Sequence, residues 1–198
     1  MNPNCYHLQG PNGVKVATQK IRQVLQEKQP KYVIRADIKS FYKSISHHRL
    51  IQDINQIYDD SKVRSMLENI ITNLNPIETP RGYKKPDNGI ALRGPLSQFF
   101  SGIFLKPLDD VFDAMDVSYF RYQDDILILC NTKRQITRCK QRMINVLKER
   151  GLRLSRKKRE LRNIKPYWGG GRQLSLRQTA LFHTREPCER HANKLSKW

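Results

Sequence analysis

Apolar and polar positions alternate in two rhythms along this 198-residue chain, and the rhythms mark out its elements. After the Asn12-Gly13 turn signal, Val14 to Gln29 is a partly basic, helix-like stretch closed by Pro30, whose ring cannot continue a helix. Tyr32-Val33-Ile34-Arg35-Ala36-Asp37-Ile38 is a short, mostly apolar run, the pattern of a buried strand. Ser46 is a candidate cap for a helix from His47 to about Tyr58. A second helix is expected from Lys62 to Leu74, with Val63, Met66, Leu67, Ile70 and Leu74 on one face. Pro76 to Asn88, rich in Pro and Gly, reads as a loop. Phe99 to Met115 reads as a helix bent at Pro107, with Ile103, Phe104, Leu108, Val111, Phe112 and Met115 in the core.

The rhythm then changes to period two. Val117 to Tyr122 and Ile126 to Cys130 read as strands joined by the tight connection Gln123-Asp124-Asp125. Thr132 to Arg150 returns to helical spacing through Ile136, Met143 and Leu147, with Gly151 suited to the C-terminal cap. Leu152 to Leu154 begins a further strand. Strand, helices, hairpin, helix, strand is the order of a ferredoxin-like α+β layer.

Chemistry enters at the hairpin. Adjacent carboxylates at its tip repel each other and cap no helix, so a divalent cation, which favours clustered carboxylate oxygens, is the natural occupant. A solvated turn is the competing reading, since Asp is common in turns. Asp37 ends the first strand, where burying a carboxylate without a partner is costly. A metal shared with Asp124 would supply the partner. Two ions held about 4 Å apart by such groups form the arrangement for phosphoryl transfer, one activating an attacking 3′-hydroxyl and the other steadying the leaving pyrophosphate.

Between these segments, Gly89 to Gln98 precedes the long helix. Pro95 suits a first helical turn, and Gly94 permits close approach of a backbone or ligand. Asp37-Ile-Lys-Ser-Phe-Tyr42, Arg93-Gly-Pro-Leu-Ser-Gln98 and Tyr122-Gln-Asp-Asp125 resemble, in order and spacing, motifs A, B and C of reverse transcriptases. The match is greatest to the bacterial group of retron, group II intron and diversity-generating enzymes. Leu105-Lys-Pro-Leu-Asp109 and Leu152-Arg-Leu-Ser-Arg-Lys-Lys158 resemble segments that bacterial members carry after motifs B and C. The resemblance runs from about Tyr32 to Lys158.

It implies an α+β right-hand polymerase palm, a ferredoxin-like antiparallel sheet with helices, plus partial fingers and no complete thumb. Asp37, Asp124 and Asp125 would be the catalytic carboxylates, holding two Mg²⁺ ions (Mn²⁺ able to substitute) with help from the Ile38 carbonyl. Asp125 would be a supporting carboxylate rather than a necessary inner ligand. Tyr42, beside Phe41, falls where the family places an aromatic gate that clashes with a ribose 2′-hydroxyl and so favours deoxynucleotides. A core aromatic is the alternative for that ring. Arg93, Gly94 and Gln98 would lie against the incoming nucleotide and template, and Lys158 near the triphosphate, although a plain basic strand competes for Lys158. Many relatives carry Gln in place of Arg93 and Pro in place of Gln98. The implied partners are an RNA template, a DNA or RNA primer and dNTPs.

Charge agrees with such partners. The chain has 37 Lys and Arg against 18 Asp and Glu, net +19, and residues 133–198 alone carry 20 basic and four acidic side chains. A segment of net +16 repels itself unless a polyanion screens it, and phosphates would do so. Cys5, Cys130, Cys139 and Cys188 show no paired metal spacing and read as free thiols in a reducing cytoplasm. The histidines form no cluster apart from His47-His48, and no catalytic role is expected of them. No stretch is apolar and long enough to span a bilayer, and the polar start lacks a secretory segment, so a cytoplasmic chain without membrane contact is expected, and the resemblance implies a bacterial one.

Three regions are expected: residues 1–31 as partial fingers, 32–164 as the palm and fingers core, and 165–198 as a basic, irregular tail. The short lead before Asp37 and the fading match after Lys158 suggest a truncated frame, with a retroelement RNA or accessory protein supplying a missing thumb. Two functions follow: an RNA-directed DNA polymerase, or a non-catalytic nucleic-acid-binding remnant. A small ferredoxin-like RNA-binding module would leave Asp37 and Asp124 unexplained and lacks the aromatic sheet signature.

Overall fold

The computed structural model describes residues 3–8, 13–73, 77–79, 82–91, 94, 96–155 and 160–163. A 3₁₀ turn at Tyr6–Leu8 precedes helix α1 (Gly13–Glu27) and strand β1 (Tyr32–Asp37). Helices α2 (Phe41–Ser44), α3 (His47–Ile57) and α4 (Ser61–Thr72) follow, then strands β2 (Ile77–Thr79) and β3 (Gly82–Lys84). Helices α5 (Ser97–Phe104) and α6 (Lys106–Asp113) lead to strands β4 (Ser118–Tyr122) and β5 (Asp125–Cys130), helix α7 (Lys133–Glu149) and strand β6 (Glu160–Asn163).

Strands β4, β5, β1 and β6 lie side by side in that order, each pair antiparallel. This is the ferredoxin-like order, with β1 and β5 at the centre. Both faces of the sheet are covered. Ile34, Ala36, Ile126 and Ile128 enter the larger core with Phe100, Phe104, Leu108, Phe112, Met143 and Leu147 from α5, α6 and α7. Val33, Phe120, Leu127 and Leu129 point the other way and pack on Tyr6, Ala17 and Ile21. Every residue of β5 is therefore buried, which is why it reads as a continuous apolar run.

Helix α7 carries both of its end signals. Thr132 and Gln135 form a reciprocal capping box. At the other end Gly151, at φ 72°, donates to the Lys148 carbonyl while Leu152 donates to Leu147, a pattern that closes the last carbonyls.

Five expectations change, the first being that Leu152 to Leu154 form no strand: Leu154 makes a single bridge to Ile38, and β6 is Glu160–Asn163. The 76–88 loop holds a hairpin, with Ile77 to Thr79 paired against Gly82 to Lys84. The single bent helix is two helices that meet at Leu105, and Pro107 sits in the first turn of the second, where a missing N–H does no harm. Helix α4 buries Leu67 and Ile71, leaving Met66 and Ile70 about half exposed, because it meets the core along a narrow stripe at i, i+4 spacing; Leu74 lies outside the described residues. Ser46 occupies the start of α3 but makes no side-chain cap bond; it bridges to Asn88 instead. Cys5, Cys130 and Cys139 are buried free thiols. No helix among the described residues is long and apolar enough to cross a membrane.

Candidate active site

Strand register builds the site. Tyr122 pairs with Asp125, and Asp125 pairs with Asp37, so the three residues form a row across β4, β5 and β1. Directly opposed residues share a face. That face is the one whose inner rows, Phe120 with Leu127 and then Leu129 with Val33, belong to the smaller core. The carboxylates thus stand where the apolar surface ends.

Asp124 reaches the same place from the turn. With Tyr122 and Asp125 paired, the turn residues are Gln123 and Asp124, and Gln123 takes φ 54°, a left-handed value that an ordinary side chain resists. Asp37, Asp124 and Asp125 are all buried, and each offers a carboxylate oxygen within 4.8 Å of the others. At an effective dielectric of about 20, each such pair repels by on the order of 3 kcal/mol. Hard oxygen donors gathered this closely suit Mg²⁺ or Mn²⁺, so the donor set fits the ions that the sequence implies. The Ile38 amide donates to the Asp124 carbonyl (3.3 Å), and Ser155 donates to that of Asp37 (2.7 Å), so the backbone on both sides of the cluster is tied down.

A buried polar network beneath the turn was not anticipated. Arg121 is fully buried and grips Asp109 with two hydrogen bonds, Nε to Oδ1 at 2.7 Å and Nη2 to Oδ2 at 2.5 Å. Tyr119 also donates to Asp109 (2.7 Å). Burial alone would lower the Arg121 pKa, but the hydrogen bonds and charge of Asp109 outweigh it and raise it. Arg121 Nη1 donates to the Gln123 carbonyl (3.0 Å), and the Gln123 amide donates to His7 Nδ1 (3.1 Å). One signal was available: Asp109 occupies a core-facing position among Leu105, Leu108 and Phe112, where a carboxylate needs a cation. His7 left none, because its partner is 116 residues away.

The remaining expected residues are distributed unevenly. Phe41 is 2 % exposed and lies in the larger core, meeting the half-buried Tyr42 edge-on at 5.3 Å. Gln98 is exposed on the first turn of α5. Gly94 is half-buried, and a Cβ there would come within 3.3 Å of that of Ala91. It lines an apolar cavity of about 340 Å³ with Ile70, Ile90 and Phe100. The described walls of that cavity carry no charge, so it does not suit a triphosphate. Arg93 and Lys158 lie outside the described residues.

The described helices bring a basic face to the outside. On α7, Lys133, Arg134, Arg138 and Arg142 are exposed, and the last three repeat every fourth residue. Like charges at that spacing disfavour the helix by a few tenths of a kcal/mol per pair.

The architecture has solved counterparts. Apo telomerase from Candida tropicalis, truncated from its C-terminal domain, superposes with a TM-score of 0.61 at 18% identity, over 82% of this chain and 36% of that one. Telomerase from the same organism in complex with a TWJ fragment of telomeric RNA gives 0.61 at 16% identity, over 80% and 30%. Candida albicans telomerase in complex with such a fragment gives 0.60 at 13% identity, over 79% and 32%. The chain therefore spans about a third of the length of these structures, and shares with them the polymerase palm fold. No curated protein matches it. The family model described as reverse transcriptase (RNA-dependent DNA polymerase) matches residues 2–183, nearly the whole chain. The match covers more than nine-tenths of the chain, and the chain belongs to the reverse transcriptase family.

Proposed function

We propose that this chain is the polymerising core of an RNA-directed DNA polymerase, extending a primer 3′-hydroxyl with dNTPs on an RNA template. One observation carries the reading: Asp37 and Asp124 stand 87 positions apart in sequence, yet with Asp125 they bring carboxylate oxygens within 4.8 Å of one another. Asp37 and Asp124 would hold two divalent ions, with Asp125 in support and the Ile38 carbonyl as a further donor. Bound Mg²⁺ would supply activation of the primer hydroxyl and offset charge on the leaving pyrophosphate.

The chain's own groups do the rest. Tyr42, half-buried and in edge contact with Phe41, would exclude a 2′-hydroxyl by its bulk. Gln98 offers its side chain to the template from the start of α5. Arg93 and Lys158 are proposed for the nucleotide phosphates from their motif positions. The basic face of α7 meets template or primer phosphates. Within the family, the segments Leu105 to Asp109 and Leu152 to Lys158 favour a bacterial retroelement enzyme.

Primer extension on an RNA template, with Mg²⁺ or Mn²⁺, compares the wild type with Asp124→Ala. The expected loss is at least about a thousandfold, ~4 kcal/mol of transition-state stabilisation. Equal incorporation by both proteins would overturn the assigned site. Template binding by both with synthesis by neither would favour a non-catalytic remnant.

A further inference from the structure

His7 joins two parts of the molecule, the turn after β4 and the start of α5. Its Nδ1 lies 3.1 Å from the Gln123 amide, in the turn that carries Asp124. Its Nε2 lies 3.1 Å from the Gln98 carbonyl and 3.0 Å from Ser101 Oγ, both on α5. The chemistry of the partners decides the tautomer. A backbone N–H can only donate, so Nδ1 must be bare; a backbone carbonyl can only accept, so Nε2 must carry the hydrogen. Ser101 agrees, since its hydroxyl hydrogen is already given to the Gln98 carbonyl (2.7 Å), leaving a lone pair for Nε2–H. Cys5 agrees too. Its sulfur accepts from Arg121 Nη2 (3.0 Å) and stands 3.3 Å from Nδ1, where a thiol hydrogen can be shared. Burial pushes that thiol up to about 11, so the hydrogen stays on it.

The ring is also confined. His7 is 4 % exposed and meets the Tyr122 ring nearly edge-on at 6.0 Å. Its segment is clamped to the sheet edge, where the Arg121 amide donates to the Asn4 carbonyl (3.0 Å) and Cys5 bridges to Arg121. The two peptide groups that flank the Gln123 Cα are therefore both held, the N–H by His7 and the carbonyl by Arg121. A left-handed φ at a non-glycine residue persists only where its surroundings over-determine it.

We propose that His7 is a positioning residue whose neutral imidazole, protonated at Nε2, locks the Gln123-Asp124 turn to the start of helix α5. The carboxylate of Asp124 and the template-facing Gln98 then keep a fixed separation through the reaction. The inference deepens the polymerase reading and rests on it for its catalytic consequence, whereas the strut itself can be read without catalysis.

The test uses the whole chain and three variants. His7→Asn keeps an acceptor near Nδ1, His7→Gln keeps a donor near Nε2, and His7→Phe keeps only the ring. In the wild type, ¹⁵N spectra are expected to show bare Nδ1 and protonated Nε2, with slow hydrogen exchange at the Gln123 amide. In His7→Phe that amide is expected to exchange at least tenfold faster and Mn²⁺ binding to weaken about tenfold. Primer extension by His7→Phe should lose kcat by tenfold or more with the KM for dNTP little changed, and His7→Asn should recover most of it. A wild-type ring protonated at Nδ1 would overturn the proposal, as would unchanged Gln123 exchange and Mn²⁺ affinity in a folded His7→Phe. Should His7→Phe fail to fold, the wild-type tautomer and the order His7→Asn above His7→Gln in Mn²⁺ affinity decide it. A wild type without synthesis would sink the polymerase reading while leaving the spectra and the exchange to judge the strut.

Discussion

Asp37 and Asp125 face each other across the β1–β5 ladder, so strand register alone delivers two catalytic-motif carboxylates to one spot. Like charges directly opposed weaken a sheet. A cation between them reverses the sign, and stability should then depend on metal. Saturating Mg²⁺ is expected to raise the melting temperature of the wild type, by mass action on the folded state. Asp124→Ala should lose most of that rise. Differential scanning fluorimetry with and without Mg²⁺ checks it, and an equal rise in both proteins would mean the ion binds elsewhere.

The Arg121–Asp109 pair predicts a large asymmetry between single and double substitutions. Both side chains are buried, and removing one strands the other charge. Arg121→Leu should cost about 3–5 kcal/mol in urea denaturation. Arg121→Leu with Asp109→Leu should be less destabilised than the sum of the two single variants.

His7 predicts a pH dependence. Burial first, and the charge of Arg121 second, push its pKa down from 6.5 to about 4. The unfolded chain therefore takes up the proton at higher pH than the folded chain. The contribution of neutral His7 is fully present above about pH 6.5 and is lost as pH falls towards 4. It amounts to about 3 kcal/mol. The stability difference between wild type and His7→Asn, measured in steps from pH 7 to 4, should shrink over that window.

Salt should reveal the role of α7. Replacing Arg134, Arg138 and Arg142 with Gln removes three exposed cations without touching the core. If each meets one phosphate of a single strand, the slope of log K against log salt should become shallower by about 2. Fluorescence anisotropy with labelled RNA measures it, and an unchanged slope would place the phosphates on another face.

Tyr42 predicts substrate choice. Its ring is half-buried against Phe41, and Tyr42→Ala should raise ribonucleotide use relative to deoxynucleotide use by at least about tenfold, ~1.4 kcal/mol of steric discrimination. Competing single-nucleotide incorporation is the measurement.

The parts legible in the sequence were those written in neighbouring residues. Asp37 closes an apolar run, Asp124 and Asp125 sit between two, and Thr132 and Gly151 bracket a helix, so strand, turn and caps could be read locally. Helix α4 was harder, because its 63-67-71 and 66-70 stripes are both apolar and only packing chooses between them. The hairpin at 77–84 has strands of three residues, too short for alternation to show. His7 and Arg121 escaped notice because their meaning lies in partners brought from far along the chain: Gln98 and Gln123 for one, Asp109 and Cys5 for the other.

The most direct measurement is anomalous X-ray scattering at the manganese edge, from crystals grown with Mn²⁺, an RNA template, a primer and a dNTP. Two peaks about 4 Å apart, bounded by the carboxylates of Asp37, Asp124 and Asp125, are the expected result. A filled nucleotide site with no manganese between those three side chains would contradict it.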